Sequence, residues 1–156
     1  MYSAPEDLDF IMGNPLVHGV SFTGSTGAGR KIAETAGKHL KKSVLELGGM
    51  DPFVVMEDAD IDFAVELAVT AKLNNCGQVC ISPKRFIVPQ GLMDEFAAKV
   101  VKGVNMAKMG DPLSTETTLG PMSSEPILTT VVSQVEQSIA YGDEVLTGAK
   151  VDPKNK

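Results

Sequence analysis

Short apolar runs alternate with longer segments of helical periodicity along most of this chain, and this alternation constrains the possible folds more than any other feature. A short apolar run bounded by turn residues is typical of a buried strand, whereas apolar residues three and four positions apart are typical of a helix with one face on a core. Strands that alternate with helices of ordinary length favour the α/β class. We therefore predict an α/β fold with a largely parallel sheet.

The same patterns give approximate bounds for the elements. Strands are predicted over residues 18–23, 43–47, 52–56, 84–88 and near 145–147. Helices are predicted over 30–39, 93–109 and about 127–141, and a further helix runs from the N-cap residues Asp58 and Asp60 as far as Asn74-Asn75. Residues 110–121 are rich in turn formers and are predicted to form a loop. The Gly48-Gly49 pair is the best candidate for a domain boundary.

The charge balance and the cysteine content exclude several classes of protein. The 156 residues include 14 Lys and Arg against 20 Asp and Glu, a net charge of −6 without a basic cluster, which argues against a nucleic-acid partner. No uncharged stretch is continuous enough to span a membrane, and the residues after Met1 do not resemble a signal peptide. Two cysteines form at most one disulfide, too few to stabilise a domain of this size, so a secreted disulfide-rich protein is excluded. We expect a cytoplasmic protein with the length of one compact domain.

The segment from Gly24 to Gly29 follows a predicted strand and opens a predicted helix. Free backbone N–H groups and the helix dipole favour an anion at such a position, and glycines let a phosphate approach the backbone. The order of the glycines nevertheless departs from the dinucleotide-binding and P-loop patterns, and Thr23 occupies the first glycine position of a hydrolase nucleophile elbow. A plain tight turn is an equally good interpretation of the glycines alone.

The two cysteines, Cys76 and Cys80, lie close together after a predicted helix. A cysteine at a helix–loop junction beside glycine is more exposed than a core cysteine, and a nucleophilic thiolate needs exposure. A buried, inert thiol is the commoner alternative. The spacing of four residues would allow both thiols on one helical face as a redox or metal pair. Since His18 and His39 are distant in sequence, we predict no metal site.

Glu46 is a candidate functional carboxylate, because it lies at the end of an apolar strand beside Gly48-Gly49. A buried carboxylate costs free energy unless it is paired or functional. Burial would raise its pKa, which suits a general base that works near neutral pH. A strand-end glutamate that points into solvent is the alternative interpretation.

Together and in this order, the motifs of the chain resemble those of the aldehyde dehydrogenase superfamily. They are FTGST at 22–26, LELGG at 45–49, DP at 51–52, EDAD at 57–60, N-x-G-Q-x-C at 75–80, KRFIV at 84–88, GDP at 110–112 and LGP at 119–121. The 34 positions between Glu46 and Cys80 also fit this superfamily. A single motif of this kind is weak, whereas the ordered set is highly specific.

The resemblance implies a role for each matching residue. Cys80 corresponds to the nucleophile and Glu46 to the general base. The cofactor, NAD or NADP, would lie with its pyrophosphate beside the turn and helix start, and with its nicotinamide beside the end of the second strand. The cofactor-binding residues implied in this way are Gly24, Ser25, Thr26, Gly27, Ala28, Gly29, Leu47 and Gly48.

The implied reaction oxidises a small aldehyde to its acid. A Cys80 thiolate adds to the aldehyde carbon, a hydride passes to the nicotinamide, and Glu46 activates the water that hydrolyses the resulting thioester. In the family, one oxyanion donor is the backbone N–H of the cysteine. The other is an Asn side chain from an upstream segment that this sequence does not contain, and Asn75 does not correspond to it.

Within the superfamily, residues 77–85 and Met50-Asp51-Pro52 most resemble bacterial succinate-semialdehyde dehydrogenases, although Asn74 stands where many of that group have an Arg. Family members are several times longer than this chain. The resemblance therefore implies a central fragment of the aldehyde dehydrogenase fold with little activity alone. Residues 1–49 would end the dinucleotide-binding domain and residues 50–156 would begin the catalytic domain.

Two other interpretations remain open. A truncated, non-catalytic module would associate with itself through exposed sheet edges, and a homo-oligomer is expected under either interpretation. A thiol-redox protein would use Cys76 and Cys80, although their spacing is not the usual redox spacing.

Overall fold

The computed structural model of this chain describes residues 7–151. The chain forms two compact units, Met1–Gly49 and Met50–Lys156. Each unit mixes helices with a parallel pair of strands, so the predicted α/β class is confirmed. The described strands form two separate two-stranded sheets, one in each unit. No helix within the described residues is long and apolar enough to cross a membrane.

The first unit is built on one strand–helix–strand segment. Its elements are α1 (Leu8–Gly13), β1 (Gly19–Thr23), α2 (Thr26–Lys38) and β2 (Lys42–Glu46). The two strands pair in parallel from Gly19 opposite Lys42 to Thr23 opposite Glu46, and a parallel pair needs a crossover such as α2. Helix α1 packs on α2. Few of the described side chains of this unit are buried; Met12 is 2% exposed and Ala36 is 1% exposed.

Helix α2 begins four residues before the predicted start, inside the glycine-rich segment. Ser25 is its N-cap, and the Ser25 hydroxyl accepts a hydrogen bond from the Ala28 backbone N–H at 3.2 Å. A serine cap satisfies one of the unpaired N–H groups of the first turn. This capping outweighs the low helix propensity of Gly27 and Gly29, so the segment is a helix start and not a separate turn.

An ion-pair cluster on the surface joins α1 to the end of α2. The Asp9 carboxylate lies 2.8 Å from Lys38 Nζ and 3.0 Å from His39 Nε2. The hydrogen bond from Lys38, followed by that from His39, lowers the pKa of Asp9 below its ordinary value. All of these groups lie at the surface, and ion pairs exposed to solvent contribute little to the free energy of folding. The cluster therefore serves mainly to orient the short α1 helix.

The second unit holds the larger core. Its elements are β3 (Pro52–Val54), α3 (Ile61–Leu73), β4 (Arg85–Ile87), α4 (Met93–Asn105) and α5 (Glu125–Ala140), with short 3-10 turns at Asn74–Gly77 and Gln90–Leu92. β3 and β4 are parallel, with Phe53 opposite Phe86. As predicted, Asp60 caps α3, since its carboxylate accepts a hydrogen bond from the Phe63 N–H at 3.1 Å.

Three phenylalanine rings form the centre of this core. The ring centroids of Phe53 and Phe86 are 5.5 Å apart, and those of Phe86 and Phe96 are 6.0 Å apart. Phe96 comes from α4 and is 3% exposed. It packs with the buried Val55 and with small residues of α3 in one apolar cluster. The rings therefore join the sheet to the helix pair.

A glycine lets the two central helices approach closely. A Cβ at Gly103 of α4 would lie 2.7 Å from Val69 Cγ2 of α3, which is closer than carbon atoms pack. The small residues Ala64 and Ala68 of α3 are buried on the core side. Small side chains at these positions fix the short separation between α3 and α4.

The C-terminal part of the described chain differs from the predicted pattern. Residues 145–147 form no strand, because no described strand lies beside them to complete a hydrogen-bonded ladder. The Thr147 hydroxyl instead donates to Asn105 Oδ1 at 2.6 Å. Helix α4 ends at Asn105, four residues early, and Met109 pairs with Leu119 across the predicted loop.

The aromatic core yields a first prediction. Phe96→Ala should reduce the free energy of unfolding by about 3–5 kcal/mol, because it removes a buried ring and leaves a cavity. Phe63→Ala is the matched control, since Phe63 is 57% exposed, and it should change that free energy by about 0.5 kcal/mol or less. Urea unfolding of the whole chain followed by circular dichroism measures both. Equal losses for the two variants would contradict this description of the core.

Two glycines at the start of α2 give a second prediction. Nothing lies within 4 Å of a Cβ at Gly27, whereas a Cβ at Gly29 would collide with the Leu47 side chain. Gly27→Ala should therefore stabilise the helix by up to about 1 kcal/mol. Gly29→Ala should be less stable than Gly27→Ala by about 1–3 kcal/mol, because Leu47 must move. Urea unfolding distinguishes them, and equal stabilities would show that Leu47 does not pack on this helix.

Candidate active site

The helix start after β1 has the features of an anion site. The N-cap bond from Ala28 to Ser25 and the bond from the Gly29 N–H to the Ser25 carbonyl, 2.9 Å, close the first turn of α2. Among the described residues, no group accepts from the backbone N–H of Thr26 or Gly27. The first turn carries no acidic residue. These free N–H groups and the helix dipole suit a phosphate group.

The first unit brings this helix start together with the end of β2. The Gly24 N–H donates to the Glu46 carbonyl at 3.0 Å, so the glycine-rich segment is attached to the strand end. Gly29 is buried, and the Leu47 side chain occupies the space where its Cβ would be. The predicted pyrophosphate residues and the predicted nicotinamide neighbours Leu47 and Gly48 are thus held side by side.

The Glu46 side chain is exposed at the last position of β2. Of the two interpretations left open for Glu46, a buried carboxylate does not match this exposure. The structure agrees with the alternative interpretation, a strand-end carboxylate in solvent. Water reaches the carboxylate directly.

The second cluster lies where α3 ends. Helix α3 stops at Leu73, and three consecutive residues then adopt positive φ: Asn75 at 49°, Cys76 at 58° and Gly77 at 74°. Asparagine and glycine tolerate this left-handed conformation, whereas it is rare for cysteine. A Cβ at Gly77 would also lie 3.2 Å from the Lys72 carbonyl oxygen. The chain reverses sharply here and enters the turn that carries Cys80.

The two thiols have different environments. The Cys80 thiol belongs to an exposed residue, whereas Cys76 is half-buried and its thiol donates to the Gly120 carbonyl at 3.1 Å. The arrangement that the spacing would allow, with both thiols on one helical face, is not formed, because the helix has already ended before Cys76. Both cysteines are free thiols. Cys80 is therefore the more accessible of the two thiols, and Cys76 has a structural contact.

A glutamine attaches the cysteine turn to its surroundings. Gln78 Nε2 donates to the Asn75 carbonyl at 3.1 Å, and Gln78 Oε1 accepts from the Ser123 N–H at 2.9 Å. With the bond from Cys76 to Gly120, these contacts tie the turn to the segment that follows the loop at residues 110–121. The motifs at 75–80 and 119–121 are therefore in direct contact.

Two lysines hold the turn from its other side: Lys84, which opens the KRFIV motif, and Lys72, which belongs to none of the motifs. Lys72 Nζ donates to the Pro83 carbonyl at 3.2 Å. Lys84 Nζ donates to the Val79 carbonyl at 3.0 Å and to the Cys80 carbonyl at 2.6 Å. Burial, and then the nearby charge of Lys84, lowers the pKa of Lys72. Such contacts join side chains to backbone carbonyls and leave no periodic signal in a sequence.

The described residues thus offer an exposed thiol, an exposed carboxylate and a helix start suited to phosphate, distributed over the two units. Within residues 7–151, no group of three or more His, Cys, Asp or Glu side chains is placed to hold a metal ion. In general, an exposed thiol can act as a nucleophile and a carboxylate can act as a base.

The sequence of this chain is similar to those of known dehydrogenases. The succinate-semialdehyde dehydrogenase (NADP(+)) of Deinococcus radiodurans is 44% identical over 144 residues, which cover 92% of this chain and 30% of that protein. A probable succinate-semialdehyde dehydrogenase (NADP(+)) of Synechocystis is 43% identical over 140 residues, 90% of this chain and 31% of its own length. The chain spans about a third of the length of the relatives it matches.

Solved structures show the same likeness. The succinic semialdehyde dehydrogenase of Streptococcus pyogenes, solved in complex with NADP+, superposes with a TM-score of 0.94 at 38% identity, over 99% of this chain and 34% of that one. A betaine aldehyde dehydrogenase of Staphylococcus aureus, solved in complex with NAD+, gives a TM-score of 0.88 at 30% identity, over 94% of this chain and 30% of that one. The aldehyde dehydrogenase family also matches the sequence directly, over residues 3–156. This chain belongs to the aldehyde dehydrogenase family.

Proposed function

We propose that these residues oxidise a small aldehyde to its carboxylic acid with NAD or NADP, using Cys80 as nucleophile and Glu46 as general base. The observation that carries the proposal is the exposed Cys80 thiol on a turn whose backbone is anchored on both sides. An accessible thiol is what nucleophilic catalysis requires. The names of the relatives support succinate semialdehyde as the substrate.

In the first step, the Cys80 sulfur attacks the aldehyde carbon. A carbon–sulfur bond forms, the carbonyl π electrons move to oxygen, and an oxyanion of a thiohemiacetal results. Among the described residues, none accepts a hydrogen bond from the Cys80 backbone N–H. This N–H is therefore available to donate to the oxyanion, and such a donor lowers the barrier because it faces the charge that develops.

The residues of the first unit fit a nicotinamide dinucleotide. The free N–H groups of Thr26 and Gly27 would bind the pyrophosphate, and the open space above Gly27 leaves room for it. Leu47 and Gly48 would lie beside the nicotinamide. When bound, the cofactor accepts the hydride that leaves the thiohemiacetal, and Cys80 is left as an acyl thioester.

Glu46 completes the reaction by hydrolysing this thioester. Its carboxylate takes a proton from a water molecule, whose oxygen attacks the acyl carbon and displaces the Cys80 thiolate. An exposed position at the end of β2 gives the carboxylate the water it needs. We propose that residues 1–49 belong to a dinucleotide-binding domain and residues 50–156 to a catalytic domain.

The length of the chain limits what it does alone. It covers about 30% of the relatives, so the complete reaction is proposed for these residues within a polypeptide of the relatives' length. We expect the isolated chain to transfer hydride slowly.

Self-association is a second candidate function, and one observation favours it. Each described sheet has only two strands, so all four strands are edge strands with free backbone groups on one side. Apolar side chains such as Val44, 60% exposed, and Val54, 55% exposed, lie on these strands. Exposed edges of this kind pair readily with other chains, and a homo-oligomer would result.

A third prediction concerns the two thiols. Iodoacetamide should alkylate Cys80 faster than Cys76, because Cys80 is exposed and Cys76 is half-buried with its thiol hydrogen-bonded to Gly120. Peptide mass spectrometry at short labelling times measures the two rates in one sample. Addition of NADP+ should slow the Cys80 reaction and leave Cys76 unchanged if the cofactor binds. Equal, slow labelling of both would favour the non-catalytic module, and a readily formed Cys76–Cys80 disulfide would favour a redox protein.

A fourth prediction tests the catalytic roles directly. With the chain in excess over succinate semialdehyde and NADP+, Cys80→Ser should abolish the slow appearance of NADPH, whereas Cys76→Ser should retain it. Glu46→Gln should form NADPH once and then accumulate a four-carbon thioester on Cys80, visible by mass spectrometry, because water is no longer activated. Glu57→Gln is the control for the loss of a carboxylate, and it should form NADPH as the wild type does without accumulating the thioester. NADPH formation by Cys80→Ser at the unchanged rate would refute the proposed nucleophile, and self-association with no turnover in any variant would leave the second candidate.

A further inference from the structure

The Lys84 side chain binds the peptide groups on both sides of the Cys80 α-carbon. Its ammonium donates to the Val79 carbonyl at 3.0 Å and to the Cys80 carbonyl at 2.6 Å. The Val79 carbonyl also accepts from the Ser82 N–H at 3.0 Å, which closes a tight turn around the cysteine. The Lys84 ammonium group therefore fixes the directions of the two carbonyls that flank the Cys80 α-carbon, and these directions determine the orientation of Cys80.

The planarity of the peptide bond turns this contact into an orientation. In a trans peptide the C=O and the following N–H point in opposite directions. When Lys84 holds the Val79 carbonyl on its own side, the N–H of Cys80 must point to the other side. The described residues leave that N–H without an acceptor, so it is free to donate to a ligand.

Lys84 itself is held firmly enough to act in this way. Its backbone N–H donates to the Asp51 carbonyl at 3.1 Å, which attaches it to the residue before β3. Lys72 binds the Pro83 carbonyl at 3.2 Å, just before Lys84 in the chain. The lowered pKa of Lys72 is consistent with a second cation close to Lys84 at a half-buried position. Two ammonium groups and three carbonyls thus form one continuous clamp on the turn.

We infer that Lys84 is a positioning residue, which fixes the Val79–Cys80 peptide so that the Cys80 N–H is aimed at an oxyanion formed on the Cys80 sulfur. The inference deepens the proposed function and rests on Cys80 as its nucleophile. A charged donor suits this role, since hydrogen bonds to an ionised group are about twice as strong as neutral ones. The substrate class that benefits is any carbonyl compound attacked by this thiol.

Two reagents separate this role from mere accessibility. p-Nitrophenyl acetate acetylates Cys80 through a tetrahedral oxyanion: the sulfur bonds to the acetyl carbon, the ester C–O bond breaks, p-nitrophenolate leaves, and the thiol proton passes to the buffer. Iodoacetamide alkylates the same sulfur by direct displacement of iodide, and no oxyanion forms. The ratio of the two rate constants at Cys80 therefore reports the oxyanion donor, while accessibility and thiolate content affect both rates.

The experiment uses the whole chain and four proteins: the wild type, Lys84→Met, Lys84→Arg and the control Lys102→Met, which removes an exposed lysine of α4. Peptide mass spectrometry gives both rate constants at Cys80. Lys84→Met should lower the ratio at least about tenfold, because loss of one oxyanion donor costs on the order of 100-fold. Lys84→Arg should restore most of the ratio, since its fork also reaches two carbonyls. Lys102→Met should match the wild type.

Three results would overturn the inference. In the first, both rate constants fall equally in Lys84→Met, and the lysine then only shapes access to the thiol. In the second, the ratio is the same in Lys84→Met and the wild type. The third needs no substitution: a wild-type ratio equal to that of glutathione would show that no oxyanion donor acts at Cys80. None of these results bears on hydride transfer, so the proposed nucleophile is judged separately by the Cys80→Ser variant.

Discussion

The cysteine turn of the second unit depends on the way helix α3 ends. Three consecutive residues, Asn75 to Gly77, adopt positive φ after the helix stops at Leu73, and each such non-glycine residue costs about 1–3 kcal/mol unless its surroundings compensate. The compensation is visible: the Cys76 thiol binds Gly120, Gln78 binds Asn75, and two lysines bind the carbonyls beyond them. A reversal of this kind replaces helical hydrogen bonds with side-chain hydrogen bonds, and it carries the cysteine out of the core.

The two units present their functional groups by different physical means. In the first unit, the glycine-rich helix start and Glu46 both lie at the carboxyl ends of parallel strands, where α/β folds usually bind ligands. Strand pairing and one capped helix suffice to place them. In the second unit, Cys80 lies on an irregular turn before β4, so strand geometry does not place it. Its position depends on individual side chains, which explains why single substitutions there should matter more.

The sequence determines the regular elements well, since burial imposes a period of two or 3.6 residues on strands and helices that pack on a core. The helices at Asp60 and Met93 begin as predicted for this reason. Periodicity fails where a neighbour decides the outcome. Residues 145–147 have a strand-like pattern but no partner strand within residues 7–151, and α2 starts early because Ser25 caps it. The clamp on the cysteine turn joins Lys72 and Lys84 to backbone carbonyls, and side-chain-to-backbone contacts of this kind have no period to detect. The motif resemblance identifies Cys80 and Glu46 as candidates, whereas the exposure of Glu46 becomes visible only in the structure.

The division of labour between the units also separates the two halves of the proposed reaction. Formation of the thiohemiacetal needs the thiol, its backbone N–H and the groups that orient them, all of which lie in residues 50–156. Hydrolysis of the thioester needs Glu46, and acceptance of the hydride needs the helix start of α2, both of which lie in residues 1–49. Because the hydrogen bonds that shape the cysteine turn are all formed within its own unit, the reactivity of the thiol toward carbonyl carbon should be a local property.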